Sequence, residues 1–328
     1  MRRTNPDVSV NVRGFTLIEL VVTIVLTALI MGALVFFSYP LRQGVDLTAR
    51  ADLTDAADTA LRRVGRDVRL ALPNSVRVAT DASGRAYLEF LAVRTAGRYR
   101  SDGQGGGGGS LANCPSDDAT LSPLQPNNDQ LTFDVSVDTC FKTIGIVPDR
   151  ATIVAGSDYL VLNNLGTGFA AQDAYAAGSP PATNRALVTG ASDDVALPQS
   201  QIQFSSATFA RTLHDSVGKR FFVISGPVGY VCDPAAGTLT RYWNYAIQAN
   251  LCVGQAGAPC LGTTNTPAAG ASSALLAAGV SACQFNYSQN ASSQAGLLTM
   301  LLTLSKNLSS GSAERVSLYD GVHVNNVP

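Results

Sequence analysis

Histidine is almost absent from this sequence, and charged residues make up only 14% of its 328 positions. The two histidines, His214 and His323, lie far from each other and from any close pair of cysteines. No G-x-S-x-G, H-E-x-x-H or C-x-x-C motif is present, so the usual sequence signs of a nucleophilic serine, a metalloprotease and a zinc site are missing. We therefore expect a protein that is not an enzyme and that holds no cofactor and no metal.

Positive charge is not in surplus either, because the formal net charge is −1. Proteins that bind nucleic acids neutralise phosphates with lysine and arginine, so no nucleic-acid partner is expected. Glycines at 103 and 105–109 formally complete a G-x-G-x-x-G pattern, but no strand directly precedes them, no helix follows and no Gly-Lys-Ser/Thr is present. This run is interpreted as a flexible excursion rather than a nucleotide site.

What the sequence does contain is a long uncharged segment near its N-terminus, from residue 20 to residue 41. As a helix this segment spans about 33 Å, enough to cross a bilayer core. It is too long for the core of a cleaved secretory signal, and no A-x-A site follows it. Arg2, Arg3 and Arg13 precede the segment, so we expect the N-terminus in the cytoplasm and everything after residue 39 in the periplasm.

A single carboxylate, Glu19, lies at the rim of this apolar segment, where an unpaired charge is costly. A plain signal anchor gives no reason for it. The stretch Gly14-Phe15-Thr16-Leu17-Ile18-Glu19-Leu20 resembles the processing motif of the type IV prepilin family. The resemblance implies that a prepilin peptidase cuts after Gly14, that the new N-terminal residue Phe15 is N-methylated, and that Glu19 is the family's glutamate.

Cleavage would place a positive amine on Phe15, while Glu19 stays negative. Either charge alone is expensive inside a bundle of apolar helices, but the amine of one subunit can compensate the carboxylate of the next. We therefore interpret Glu19 as the residue that sets the axial register between subunits. The alternative is that Glu19 finds a partner only within its own helix, such as the hydroxyl of Thr16 or Thr23.

Apolar residues recur at helical spacing beyond the membrane segment, which predicts one continuous helix that ends before Pro73. Four arginines lie mostly off this stripe and are interpreted as a solvated face rather than a lipid or DNA site. The expected organisation is a cleaved leader at 1–14, a transmembrane part at 15–40, a periplasmic helical part at 41–72 and a head domain at 73–328. The stripe consists of Leu53, Ala57, Leu61, Val64, Val68 and Leu72, and the arginines are Arg62, Arg63, Arg66 and Arg69.

Runs of β-branched and alternating apolar residues predict that the head is β-rich. The expected fold is α+β and type IV pilin-like: a long N-terminal helix whose second half packs on a C-terminal antiparallel β-rich head. Long loops are expected at about 95–129, 170–198 and 255–278, where Ala, Gly, Ser, Pro and Thr dominate. Strands are expected at 75–78, 87–93, 130–137, 159–163, 201–204, 220–231, 238–245, 280–287, 297–304 and 315–324.

Six cysteines lie in the part that we expect in the periplasm, where disulfides form by default. Six cysteines allow 15 pairings, so the sequence alone leaves the connectivity open. Nearness in sequence suggests the pairs Cys114–Cys140 and Cys252–Cys260, and elimination then leaves Cys232–Cys283.

Short segments along the chain extend the resemblance to the MshO family of MSHA-type pilus biogenesis. They lie at 55–63, 69–78, 230–233, 237–243 and 322–328. The resemblance implies a minor pilin of a mannose-sensitive-haemagglutinin-type type IV pilus, which helps to initiate or cap the filament. It implies other major and minor pilins, the prepilin peptidase and the inner-membrane assembly platform as partners. It also implies a single-pass inner-membrane protein that ends in the pilus.

The bulk of the head favours a position at the pilus tip over one along the shaft. Two alternatives stay open at this point. One is a J-class pseudopilin of a type II secretion system, to which this family is related in architecture. The other is a tip adhesin or ligand-binding pilin, which a concave aromatic pocket would favour.

Overall fold

A computed structural model describes residues 14, 16–100, 109–111, 114, 130–131, 133, 138–180, 182–207, 209, 215–216, 218–251, 271–289, 294–308 and 311–328. For residues 37–47, 138 and 206–207 it describes the backbone alone. The fold is one long N-terminal helix with a head of antiparallel sheets, which confirms the α+β, pilin-like expectation.

Within the described residues, the helix α1 (Leu17–Val68) is followed by twelve strands and a short 3-10 turn at Arg150–Thr152. The strands are β1 (Arg77–Thr80), β2 (Ala86–Arg98), β3 (Asp138–Lys142), β4 (Tyr159–Leu162), β5 (Arg185–Asp193), β6 (Ser200–Ala207), β7 (Arg220–Asp233), β8 (Thr238–Trp243), β9 (Ser272–Ala278), β10 (Val280–Gln289), β11 (Ala295–Asn307) and β12 (Ala313–Asn325).

The long strand β7 is the branch point of a nine-stranded sheet. One edge of β7 pairs with β2 along most of its length, and β1 pairs with the far side of β2. On the other edge, residues 221–224 pair with β4, and residues 229–233 pair with β8. The first branch continues through β5 and β6 to β3, and the second ends at β9. Strands β10, β11 and β12 form a separate three-stranded meander.

The helix ends at Val68 rather than at Leu72, four residues earlier than the sequence predicts. Backbone groups beyond Val68 pair with β2 instead of continuing the helix. The amide of Leu72 donates to the carbonyl of Leu91 at 2.7 Å, and the amide of Val93 donates to the carbonyl of Leu70 at 2.8 Å. Because β2 satisfies these groups, the chain leaves the helix before Pro73 forces it to do so.

The larger core lies between the second half of α1 and the strands around it. The predicted stripe is buried there: Leu53, Ala57, Leu61, Val64 and Val68 are each at most 7% exposed. At Gly65 a Cβ would lie 3.0 Å from Cγ2 of Val322, so glycine lets the helix approach β12 closely. The strand residues of this core include Leu88, Phe90, Tyr230, Leu239, Phe285, Leu298, Met300, Leu302, Leu304, Val316, Val322 and Val324.

A second core fills the branch that runs from β7 through β4, β5 and β6 to β3, and we call this branch the aromatic lobe. Its rings pack edge to face or tilted, with centroids 5.1 Å apart for Phe141 and Phe221 and 6.0 Å apart for Phe204 and Phe209. Such arrangements are the favoured geometry of aromatic pairs. The lobe therefore has a hydrophobic core that does not depend on α1.

The structure differs from the sequence expectation at the three long loops. Strand β2 continues to Arg98, β5 lies within the expected loop at 170–198, and β9 occupies the end of the expected loop at 255–278. Strand β3 also follows rather than fills the expected strand at 130–137, of which residues 130, 131 and 133 are described and are not strand. Strand β9 consists mostly of Ala and Ser, and β5 contains Ala, Gly, Ser and Thr, residues that are common in loops. Their backbones nevertheless pair with neighbouring strands.

Candidate functional site: the N-terminal segment

Gly14 lies just before the helix and is exposed. A Cβ built on it would meet no atom of the described residues within 4 Å, and its φ lies outside the positive range. The fold therefore places no demand on glycine at this position. A requirement for glycine here would have to come from another molecule, such as an enzyme that binds the segment.

Thr16 begins the helix as its N-cap, with the extended dihedrals φ −83° and ψ 151°. Its hydroxyl accepts a hydrogen bond from the amide of Glu19 at 3.3 Å. The spacing Thr16-x-x-Glu19 is that of a capping box, a signal that our sequence analysis did not use. Only half of the box forms, because the Glu19 carboxylate has no hydrogen bond or ion pair with any described residue.

The threonines that offered Glu19 an alternative partner are engaged with the helix backbone. The hydroxyl of Thr16 caps the amide of Glu19, and the hydroxyl of Thr23 donates to the carbonyl of Leu20 at 2.9 Å. The hydroxyl of Thr27 likewise donates to the carbonyl of Thr23 at 2.7 Å. The hydroxyls of Thr23 and Thr27 thus donate to helix carbonyls inside the apolar segment, and the Glu19 carboxylate is exposed. Phe15, the expected methylation site, lies outside the described residues.

The first part of α1 is exposed on every side. The 20 residues Leu17–Phe36 are long and apolar enough to cross a membrane, and none of that stretch is buried against the head. At 1.5 Å per residue it spans about 30 Å, the thickness of a hydrocarbon core. Together with the prepilin motif, this helix fits a single-pass inner-membrane anchor.

The second part of α1 is tied to the head by Asp67, which accepts from two strands. The hydroxyl of Tyr230 and Nε of Arg241 each donate to Oδ2 of Asp67 at 2.7 Å. Nε of Arg63 lies 3.3 Å from Oδ1 of the same carboxylate. Burial, and then the bond to Asp67, raise the pKa of Tyr230. Burial opposes the charge of Arg241, but Asp67 outweighs it and raises the pKa of Arg241. This cluster fixes α1 on β7 and β8.

Several segments that carry the MshO resemblance make the contacts between α1, the sheets and the chain end. Tyr230 and Arg241 hold Asp67, and the guanidinium of Arg241 lies 4.8 Å from the ring centroid of Trp243. Oδ1 of Asn326, in the last segment, accepts from the amide of Asn74 at 3.1 Å. These residues therefore have structural partners in this chain, and Trp243 of β8 packs against the core around α1.

Two disulfides lie within the described residues, Cys114–Cys140 and Cys232–Cys283. The second joins β7 to β10 and so links the nine-stranded sheet to the meander. Both are pairs that the sequence suggested. Cys252 and Cys260 lie outside the described residues, and their pairing stays a prediction. Across the described ranges, no three His, Cys, Asp or Glu side chains converge as a metal site.

The exposed apolar helix and the β-rich head define a membrane-anchored, pilin-like class of protein. Residues 10–35 match the family model of the prokaryotic N-terminal methylation motif, which includes Gly14, Phe15 and Glu19. No curated protein and no solved structure matches the chain. The motif and the fold together support a type IV prepilin-like protein, a pilin or pseudopilin. The motif implies processing by a prepilin peptidase and assembly with other pilins.

Proposed function

We infer that this chain is a minor pilin of an MSHA-type type IV pilus, which helps to initiate or cap pilus assembly. A prepilin peptidase cuts it after Gly14, Phe15 is then N-methylated, and Glu19 receives the amine of a neighbouring subunit. The head lies in the periplasm before assembly, and the protein is a structural subunit rather than an enzyme. The assembly platform of the inner membrane moves it into the filament, at or near the tip.

One observation carries this proposal: the apolar 20-residue stretch Leu17–Phe36 of α1 is covered by none of the residues that the structure describes, and Glu19 near its start has no partner among them. A plain anchor needs the apolar surface but gains nothing from the carboxylate. A subunit that leaves the membrane and joins a bundle of pilin helices gains from both the apolar surface and the carboxylate. The surface then packs on other helices, and Glu19 pairs with a neighbour's amine.

The resemblance of scattered segments of this chain to the MshO family supports an MSHA-type minor pilin over a J-class pseudopilin of type II secretion. Both classes share the motif and the long helix, so α1 does not distinguish them. The discriminating feature is the head, and a genome neighbourhood with other prepilins and a pilus assembly ATPase supports the pilus.

A second candidate, a ligand-binding tip pilin, is favoured by one cleft of about 550 Å³. The cleft is formed by the segment that follows α1, by residues 165–169, by the end of β10 and by the residues after β12. It is lined by Phe169, which is 53% exposed, by Tyr287 and by side-chain amides of Asn74, Gln289 and Asn326. Loss of adhesion in Phe169→Ala with normal piliation would favour this candidate.

The test of the main proposal is Glu19→Gln in a strain that holds no other copy of the gene. Membrane insertion, cleavage and head folding should be unchanged, because a neutral amide enters the membrane at least as easily as a carboxylate. Incorporation among other pilins should fall strongly, since the neighbour's amine loses its counter-charge.

The measurements are surface pili per cell and recovery of partner pilins in pull-downs at matched protein levels. Glu19→Asp is the matched control, because it keeps the charge and should retain part of the activity. Normal piliation and normal partner recovery in Glu19→Gln would instead favour a membrane-anchored protein that does not assemble with other pilins.

A further inference from the structure

The cleft of about 550 Å³ on the head is neutral: none of the described side chains that line it is charged. Its polar side chains are carboxamides and hydroxyls, from Asn74, Thr167, Tyr287, Gln289, Gln294 and Asn326. Burial raises the pKa of Tyr287, so this hydroxyl is uncharged as well. Proteins recognise phosphates and carboxylates mainly with arginine and lysine, so the cleft is not suited to a charged ligand.

A hydrogen-bond network fixes the inner side of the cleft. Nδ2 of Asn74 donates to the carbonyls of Asn164 and Asn326, at 2.8 and 3.2 Å. Nδ2 of Asn326 donates to the hydroxyl of Tyr287 at 2.8 Å, and Nε2 of Gln289 donates to Oδ1 of Asn74. These bonds join four separate stretches of the chain, so the shape of the cleft does not depend on a ligand.

Two glycines let the walls of the cleft approach each other closely. At Gly166, which has φ +97°, a Cβ would lie 2.7 Å from the carbonyl oxygen of Asn74. At Gly296 a Cβ would lie 2.6 Å from Cζ of Tyr287, so this ring lies across β11 where that strand has no side chain. The positions of Asn74 and Tyr287 in the cleft therefore depend on these two glycines.

The outer side of the cleft keeps unused hydrogen-bonding groups beside an aromatic ring. Oε1 of Gln289, the side chain of Gln294 and the hydroxyl of Thr167 have no hydrogen-bond partner among the described residues. Phe169 is 53% exposed and belongs to neither core, and its amide donates to the carbonyl of Gly166 at 3.3 Å, which closes the turn that holds it. The cleft thus presents a flat apolar surface next to donors and acceptors.

These features define the chemistry of a ligand. A purely apolar molecule would bury the carboxamides without partners, which is costly. An extended peptide is bound mainly through the backbone of a sheet edge, whereas the polar groups here belong to side chains. A carboxamide both donates and accepts, and so does each hydroxyl of a sugar. A sugar ring also has a face of C–H groups that can pack on an aromatic ring.

We propose that this cleft binds a neutral saccharide, with one sugar ring on Phe169 and its hydroxyls against Thr167, Gln289 and Gln294. The proposal rests on the second candidate of the proposed function, a ligand-binding pilin. It does not depend on the role of Glu19 in assembly.

The ligand class is tested with the full-length protein in detergent on an array. The array carries neutral oligosaccharides, sialylated and sulfated oligosaccharides, and uncharged peptides. We expect binding to a subset of the neutral oligosaccharides, and the tightest of these is then titrated by calorimetry. Binding to acidic glycans or to peptides alone, or to nothing on the array, would overturn the proposal.

The position of the ligand is tested at Phe169. Phe169→Leu keeps an apolar side chain but removes the flat ring, and should weaken binding about three- to tenfold. Phe169→Tyr keeps the ring and should bind like the wild type. The matched control is Tyr319→Leu, because Tyr319 is 69% exposed on the same head but does not line this cleft. This control should leave the affinity unchanged.

The hydrogen bonds are tested by Thr167→Val, which removes an exposed hydroxyl that bonds to no described residue. The affinity should fall about fivefold, the usual size for one lost neutral hydrogen bond. Unfolding curves of both variants should match the wild type, since neither side chain supports a core. Unchanged affinity in both Phe169→Leu and Thr167→Val would show that the sugar binds elsewhere and would overturn the site.

Glu19→Gln separates this proposal from the assembly role, because it should bind the saccharide like the wild type. Saccharide binding beside normal piliation of Glu19→Gln would count against the proposed role of Glu19 alone. A piliation defect in Glu19→Gln, with no saccharide binding by the wild type, would count against this site alone.

Discussion

Leu17–Phe36 and residues 49–68 belong to one continuous helix, yet the first is exposed on every side and the second buries one face against the head. Their sequences differ accordingly. The first part is apolar all round, as expected of a segment whose surroundings are uniform. The second part places apolar residues on one stripe and charges on the rest, because its surroundings differ from side to side.

The carboxylates of the two helix parts also differ in whether they have partners within the chain. Asp67 accepts from Tyr230 and Arg241 of the same chain, whereas Glu19 has no partner among the described residues. A charge that the chain satisfies itself serves the fold. A charge that the chain leaves unsatisfied in an apolar segment points to a partner outside the chain. The comparison therefore separates residues that hold the head together from residues that join subunits.

The largest effect that we predict is that of Gly14→Val, which should abolish cleavage after residue 14 and leave the leader attached. The fold has room for the new side chain, so any block arises in the peptidase site. Mass spectrometry of the N-terminus of the membrane-bound protein measures the outcome.

The matched control is Gly32→Val, because a Cβ at Gly32, inside the helix that follows Gly14, also meets no described atom within 4 Å. This variant should be cut like the wild type. Wild-type protein that retains Met1, or that is cut after the apolar segment, would contradict the prepilin interpretation.

The next prediction compares the two parts of α1 by making the same Leu→Ala substitution in each. Leu61 is 3% exposed and Leu29 is 65% exposed. Leu61→Ala should lower the free energy of unfolding of the head by about 2–5 kcal/mol, through lost burial and the cavity left behind. Leu29→Ala should leave it unchanged, because no head residue that the structure describes covers that side chain.

Urea unfolding of the full chain in detergent gives both values, with the fluorescence of Trp243 as the probe. Trp243 is the single tryptophan and packs against the core that contains Leu61. Similar destabilisation by both substitutions would show that the first part of the helix also packs on the head.

The parts of the fold that the sequence predicted well are those with a long, regular pattern. The stripe of α1 needs only a period near 3.6, and β11 buries Leu298, Met300, Leu302 and Leu304 in strict alternation. The processing motif at the start of the helix was also predictable, because Gly14, Phe15 and Glu19 occur within six positions. Local spacing carries this information, so one sequence is enough.

What the sequence did not reveal depends on distant partners. Strand β5 holds its place through the backbones of β4 and β6, and its side chains give little sign of this. Tyr230 and Arg241 lie 163 and 174 positions from Asp67, and no local pattern connects them. The early end of α1 has the same cause, because β2 supplies the bonds that end it.

The smallest effect that we predict sharpens the contrast between the two carboxylates. Asp67→Asn keeps the shape of the side chain but removes the negative charge to which Arg241 and Tyr230 donate. The Asp67 side chain is only 11% exposed. The free energy of unfolding should fall by about 1–3 kcal/mol, the usual range for a lost bond to a charged group. The Trp243 signal measures this loss, because Arg241 lies against that ring. Glu19→Gln, the same chemical change on the same helix, should give an unfolding curve identical to that of the wild type. If Asp67→Asn reduced piliation while its unfolding free energy stayed at the wild-type value, Asp67 would belong with Glu19 among the residues that join subunits, and the division of the helix into a fold-supporting part and an assembling part would be wrong.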